Sequence, residues 1–377
     1  MAPGDTLSAE APTDLAPLPS GMGLPAGSSP LEHLRRVLDE QRDQWGTRRP
    51  LVISHKSPDP DALGAMFGLR FLLREAFGLD PEVAATGRIY RAENVAMVDE
   101  LSLDYSDLLA LDERRYAGTF LVDSQPGFGH TLLPELPVVA VFDHHRPPPP
   151  ENRAAIPLAP HYDVRLGVGA TSAMIYGYCR EAGLTLDPRT ATALCCGIRF
   201  DTGDLSLHAT ELDTEAYYET FRLADREVLA RIARPTLPPT YYRDLHRYLA
   251  RGRRHGPLVL GLLGQVTNPE SVAEMADFFL RMEGCEWVLA GGAFQENYHL
   301  SVRTKGLDAH RLLSGVLRGE GSFGGRGPVA GGQVPLSGDD PEEVRKLERR
   351  LRGRAVALLD DDDLPDGRRG EPLTKLS

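Results

Sequence analysis

Long apolar runs are missing from this 377-residue chain: no stretch of about 18 apolar residues occurs, which excludes a bilayer-spanning helix. The start, MAPGDTLSAE, lacks the basic, apolar and small-residue succession of a secretory signal, so a cytoplasmic address is expected. Cysteine is scarce. Cys179, Cys195, Cys196 and Cys285 form no C-x-x-C pair and no Cys/His cluster of zinc spacing, and read as buried thiols. Surplus positive charge is absent as well. With 42 Lys and Arg against 54 Asp and Glu the net charge is −12, which excludes coating duplex nucleic acid by bulk charge and leaves room for a local basic groove. There is no internal repeat. What remains, 41% hydrophobic and 25% charged residues, is ordinary globular composition at a length suited to two domains or three.

Residues 1–30, rich in Pro, Gly, Ala and Ser, are expected to form a disordered leader that cannot repay its ordering entropy. A helix is expected from Leu31 to Gln44. Apolar strands at Leu51–Ser54, Thr119–Asp123 and Val138–Asp143 then alternate with helical stretches such as Ala62–Phe77 and Glu93–Leu101. That alternation predicts an α/β fold with a doubly wound, mostly parallel sheet over residues 31–232, whose ligands gather at the carboxyl ends of the strands. A proline-rich, then arginine-rich connector is read over residues 233–256. A smaller α/β domain follows at 257–359, and a polar, fraying tail at 360–377.

Four segments carry chemistry. In SHKSPDPDALG, His55, Asp59 and Asp61 lie within seven residues after the first strand, in a turn stiffened by Pro58 and Pro60. Taken alone, Asp61 could cap the helix from Ala62 and Asp59 could form a turn. LVDSQ places Asp123 at a strand end. VVAVFDHHRP runs a strand into Asp143, His144 and His145, and CCGIRFDTGDLS carries an apolar stretch into Asp201. If these ends share one sheet edge, Asp59, Asp61, Asp123 and Asp201 converge, and four carboxylates cannot all stay ionised in a partly buried cleft without compensation. Metal ions supply it. Oxygen ligands with the imidazoles of His55 and His144 suit Mn²⁺, with Mg²⁺ as the alternative, better than structural zinc. Six ligands suit two divalent cations roughly 3.5–4 Å apart sharing a carboxylate, an arrangement fitted to phosphate-ester hydrolysis.

The order H-x-x-x-D-x-D, then D, then DHH, then D in GI-x-x-DTG resembles the DHH phosphoesterases. The resemblance implies that one cation is held by His55, Asp59 and Asp123, and the other by Asp61, Asp123, His144 and Asp201. It also implies that His145 meets the scissile phosphate while Asp143 supports it. SFGGRGPVAGGQVP is similar to the glycine-rich signature of the DHH-associated substrate domain, and HLSVRTKG to the segment before it. That likeness implies substrate binding by Arg303, Arg326, Gly324 and Gly325. Arg326 stands where most relatives have histidine, and Val329 where they have alanine, which leaves the exact substrate open.

The layout looks most like the nanoRNase type, which trims short oligonucleotides and in some members dephosphorylates adenosine 3′,5′-bisphosphate. Short RNA or DNA oligonucleotides or nucleotide phosphates are therefore the expected partners, with no membrane; a homodimer stays open. RecJ-type exonucleases carry an additional domain for which no room remains. The alternatives are a soluble cyclic di-AMP or pApA phosphodiesterase and a decayed nucleotide-binding protein. Pyrophosphatases share the first domain's motifs, but the glycine-rich signature points away from them.

Overall fold

The computed structural model describes Leu24 and residues 27–147, 159–338, 340–359 and 370–375. Most of the leader read over residues 1–30, and residues 360–369 of the tail, lie outside the described residues. The chain divides into two units, one built from residues up to Ile89 and Glu93–Pro235, the other from Tyr90–Ala92 and residues from Thr236 onward.

The first unit begins with α1 (Pro30–Gln41), β1 (Arg49–Ile53), α2 (Pro60–Phe77), β2 (Glu82–Ala85), α3 (Ala92–Glu100) and β3 (Ser106–Asp107). It continues with β4 (Tyr116–Val122), β5 (Val138–Asp143), β6 (His161–Val164), α4 (Thr171–Glu181), α5 (Pro188–Asp201), α6 (Glu211–Leu223) and α7 (Arg226–Ala233). The strands pair in the order β3-β2-β1-β4-β5-β6, every pair parallel. The chain therefore works outward from β1 on one side and restarts on the other with β4. Loops leaving neighbouring β1 and β4 diverge there, opening a crevice at their carboxyl ends.

Every residue of β4 and β5 is buried, as in a parallel sheet covered on both faces. Val52, Phe120 and Phe142 point into a core with Leu63 and Leu69 of α2 and Ile175 of α4. Residues of the alternate parity, Leu51, Ile53, Leu121 and Val141, pack with Leu108, Leu133 and Leu136. The second of these cores thus takes its non-strand side chains from connecting segments.

Local chemistry shifts several boundaries. The helix expected from Ala62 starts at Pro60, because Asp59 accepts the amides of Asp61 and Ala62 and Pro60 needs no donor in the first turn. Asp201, expected at a strand end, is the last residue of α5: Asp187 caps the first turn by accepting the Arg189 and Thr190 amides, and the apolar stretch, buried throughout from Thr190 to Ile198, continues as a helix. The helical stretch Thr214–Ile232 divides where Asp225 caps α7 through the amides of Glu227 and Val228.

Much of the segment read as a connector is regular structure: α8 (Pro239–Arg251) and β7 (Arg253–His255). They are followed by β8 (Leu258–Gln265), α9 (Glu270–Leu280), β9 (Trp287–Phe294), β10 (Asn297–Thr304) and α10 (Ala309–Leu317). The unit ends with β11 (Ser322–Arg326), β12 (Val329–Pro335), α11 (Pro341–Val356) and β13 (Glu371–Pro372). The seven strands run β11-β12-β10-β9-β8-β7-β13, with β8 and β9 parallel and the other neighbours antiparallel. Tyr248 and Phe279 of α8 and α9 cover one face, Leu313 and Leu351 of α10 and α11 the other. Glu371 and Pro372 pair with Arg254 and Arg253, so this part of the tail is strand rather than frayed chain. All four cysteines are free and buried. Among the described residues no helix is long and apolar enough to cross a membrane.

Candidate metal centre

The crevice beside β1 and β4 gathers the acidic and imidazole side chains. Asp123 directly follows β4 and has φ +52°, a left-handed backbone that Asp and Asn tolerate better than most residues. This turn puts its carboxylate inside the unit, where it is 2% exposed, and the Thr171 hydroxyl donates to Oδ1 over 3.0 Å. His55 Nε2 stands 3.6 Å from Asp123 Oδ2 and 4.0 Å from Asp59 Oδ1. Asp61, fully buried in the first turn of α2, accepts the Thr171 and Ser172 amides at 2.6 and 2.8 Å, the free donors of the α4 N-terminus. Gly197 permits this approach: a Cβ there would lie 2.2 Å from Ser172 Oγ and 2.9 Å from Asp61 Oδ1.

His144 faces three carboxylates, its Nε2 lying 3.2 Å from Asp201 Oδ2, 3.5 Å from Asp123 Oδ1 and 4.0 Å from Asp61 Oδ2. That nitrogen is buried and makes no hydrogen bond. Its ring partner, Nδ1, lies 3.1 Å from the Val168 carbonyl, and His55 Nδ1 lies 3.0 Å from the Lys56 carbonyl. A carbonyl only accepts, so both rings carry a proton on Nδ1, and in the neutral ring the Nε2 lone pair faces the carboxylates. Imidazoles that ligate metals are oriented in this way.

Charge in the crevice is balanced by protons. Burial opposes a charged His55, but Asp123 and Asp59 outweigh it and raise the imidazole to about 9. His144 is likewise raised well above its ordinary value, against burial, by Asp201, Asp123 and Asp61. Burial would lift Asp123, but contact with His55 and the charges of His145 and His144 hold it well below the usual carboxylate range. Burial and the charges of Asp123 and Asp201 push Asp59 up to about 6 and Asp61 well above its normal value. Burial also raises Asp201, despite the His144 contact.

Three donor sets have ligand atoms within 4.8 Å of one another: His55, Asp59 and Asp123; Asp61, His144 and Asp201; and Asp123, His144 and His145. The orphaned His144 Nε2, the two oriented imidazoles and the four convergent carboxylates fit divalent cations, which would replace the protons. The fold and site define a metal-dependent phosphoesterase.

Residues 49–198 match the model of the "DHH family, N-terminal domain". It is 28% identical over 337 residues to the uncharacterized protein MJ1633 of Methanocaldococcus jannaschii, covering 87% of this chain and 68% of that one. Over 154 residues it is 27% identical to a probable manganese-dependent inorganic pyrophosphatase of Streptococcus agalactiae, covering 40% of this chain and 48% of the relative. An exopolyphosphatase-related protein from Bacteroides fragilis shares the fold at a TM-score of 0.68 and 15% identity, over 89% of this chain and 99% of that one.

His145 is half exposed, and its Nδ1 is held 2.8 Å from Asp143 Oδ1. Burial opposes its charge, but Asp143 and Asp123 raise it to about 9. Gln125, which the sequence reading passed over, donates to Asp143 Oδ2 at 2.7 Å and to the His145 carbonyl at 2.9 Å, while Tyr162 donates to its Oε1. Thr171, Ser172 and Val168 were also missed. The signal for Thr171 and Ser172 was a Thr-Ser pair opening a helix; for Val168, which acts through its backbone, there was none.

The residues expected to bind substrate lie in the second unit. Arg303 on β10 and Arg326 on β11 both pair with Val329, so the backbone sets them in one row across β12. Arg303 Nε donates to Asp277 Oδ1 over 2.6 Å, and Nη1 to Ser301 Oγ over 2.7 Å. The Arg326 side chain lies outside the described residues. At Gly324 a Cβ would meet nothing within 4 Å, whereas at Gly325, with φ +143°, it would lie 2.4 Å from the Val329 carbonyl oxygen, so only glycine fits there.

Proposed function

We propose that this protein hydrolyses short RNA or DNA oligonucleotides from an end, as a nanoRNase, and removes phosphate from adenosine 3′,5′-bisphosphate. The observation that carries this reading is the meeting of His55 and His144 at the Asp123 carboxylate, 3.6 and 3.5 Å from its two oxygens, beside the tethered, half-exposed His145. His55, Asp59 and Asp123 hold one cation; Asp61, Asp123, His144 and Asp201 hold the second, with Mn²⁺ preferred over Mg²⁺. Such a pair supplies an activated water nucleophile and charge neutralisation at phosphoryl oxygens.

The chain's own residues do the rest. Nδ1–H bonds to backbone carbonyls keep both ligand imidazoles in one tautomer. Asp143, fixed by Gln125, orients His145 so that its free Nε2 meets a phosphoryl oxygen, where a charge-assisted hydrogen bond strengthens as negative charge develops. Arg303, Arg326, Gly324 and Gly325 are assigned to the nucleotide part of the substrate, guanidinium on phosphate and glycine backbone near the base or sugar. The net charge of −12 favours short substrates over long polyanions.

The test is Mn²⁺-dependent turnover of a dinucleotide, pApA, adenosine 3′,5′-bisphosphate, cyclic di-AMP and pyrophosphate by the full chain. Preference for the dinucleotide or adenosine 3′,5′-bisphosphate supports the proposal, and Asp201→Asn or Asp123→Asn with undiminished turnover refutes the metal assignment. Cyclic di-AMP, pApA or pyrophosphate as the preferred substrate overturns the substrate class. Absence of turnover on all five identifies a binding protein instead.

A further inference from the structure

A second cavity, of about 460 Å³, lies in the first unit between α2 and the start of α5. Its size falls within the roughly 300–1,000 Å³ of small-molecule sites. Arg70 and Arg74 of α2 and Arg189 of α5 line it, with Phe67, Phe71 and Leu103 as the apolar wall. From Asp61 to Arg70 is nine residues along α2, about 14 Å at the helical rise, so a ligand here does not occupy the metal centre.

The cavity's positive charge is only partly answered. Arg74 is bound by Asp80 through two contacts, at 2.9 and 2.5 Å. Arg189 spends its Nε and one terminal nitrogen on the main-chain carbonyls of Leu101 and Ser102, which fix the group without neutralising it. Arg70 makes no ion pair among the described residues; its guanidinium lies over the Phe67 ring, 4.4 Å from the centroid. Two carboxylates also line the space, Glu75 and Asp187. Asp187 is occupied as the cap of α5, accepting the Arg189 and Thr190 amides and the Thr190 hydroxyl. Burial and the neighbouring Arg74 and Arg189 lower Arg70 to about 10, against the opposing charges of Asp104 and Asp80.

We propose that this cavity binds a phosphate monoester bearing a flat ring, of the nucleoside monophosphate class. The phosphoryl oxygens meet the Arg70 fork and the terminal nitrogen that Arg189 does not spend on Leu101 and Ser102, and the ring lies against Phe71 and Leu103. This site does not depend on which substrate the metal centre hydrolyses.

The test is calorimetric binding of AMP to the full chain in EDTA, with inorganic phosphate and adenosine as separate probes. AMP is expected to bind at one site, adenosine and inorganic phosphate each at least about tenfold more weakly, and Arg70→Gln to weaken AMP at least about tenfold. Asp123→Asn should leave AMP binding unchanged, and Arg70→Gln should leave Mn²⁺-dependent turnover unchanged. AMP binding that survives Arg70→Gln, or that is lost in Asp123→Asn, overturns the proposal, as does no binding at all. Adenosine binding as tightly as AMP removes the phosphate requirement, and phosphate binding as tightly as AMP removes the ring; either outcome overturns the ligand class. Should Arg70→Gln fail to fold, Arg70→Lys keeps the charge and loses the fork, and unchanged AMP affinity in it also overturns the site.

Discussion

The Gln125 side-chain amide donates to Asp143 Oδ2 over 2.7 Å, while the other oxygen of that carboxylate holds His145 Nδ1 at 2.8 Å. Asp143 is fully buried, so Gln125 supplies what water cannot. In Gln125→Leu the carboxylate loses this donor and His145 loses its fixed orientation. Turnover should fall about 10- to 100-fold with little change in KM or in Mn²⁺ affinity. Steady-state kinetics beside Mn²⁺ calorimetry checks this; an equal loss of Mn²⁺ binding would move Gln125 into the support of the ligands themselves.

Asp123 sits at φ +52° and belongs to two of the three donor sets. Asn keeps the left-handed backbone at low cost and removes the charge, so Asp123→Asn tests ligation rather than folding. It should lose more than about 100-fold in turnover. It should also lose the Mn²⁺-induced rise in melting temperature, which for the wild-type chain corresponds to about 2.7 kcal/mol at a hundred times the dissociation constant. Thermal melts with and without EDTA read both effects.

Protons and cations compete for the same nitrogens. His55 is raised to about 9 and must be neutral to ligate. Mn²⁺ affinity should therefore climb as pH rises from 6.5 towards 9, by up to about tenfold per unit for each proton displaced, and flatten above. Binding heats at one pH in two buffers of different ionisation enthalpy should show proton release; heats independent of buffer would contradict the assignment.

A second titration concerns stability. His33 Nδ1 lies 2.9 Å from His161 Nδ1, His161 Nε2 lies 2.8 Å from the Tyr178 hydroxyl, and that hydroxyl donates to Asp163 at 2.7 Å. One arrangement satisfies the row: His161 donates from Nε2 and accepts on Nδ1, and is therefore neutral. Burial lowers its pKa to about 3, with His33 and Arg165 adding to this against Asp163. The unfolded chain, near 6.5, takes up a proton before the folded one does, so this contribution is complete above about pH 6.5 and lost as pH falls towards 3. The slope is up to about 1.4 kcal/mol per pH unit. Urea unfolding at pH 7 and pH 5 should show the loss, and His161→Leu should reduce it.

The sequence by itself determined the strands that run into Asp123 and end at Asp143, because buried parallel strands read as unbroken apolar runs, and it picked out the carboxylates and imidazoles that converge in the crevice. It did not determine that Asp201 ends a helix, since an apolar run of that length, buried throughout, suits helix or strand alike. The cap of α2 fell to Asp59, while the Asp61 carboxylate is taken by the Thr171 and Ser172 amides, a contact that no local pattern records. Gln125, Thr171 and the Val168 carbonyl act through partners 18 to 110 residues away, by hydrogen bonds that leave no local pattern. Only the tertiary structure decided which groups orient the crevice's imidazoles and carboxylates, because pairing β1 with β4 sets their carboxyl ends side by side and chain distance carries no record of that contact.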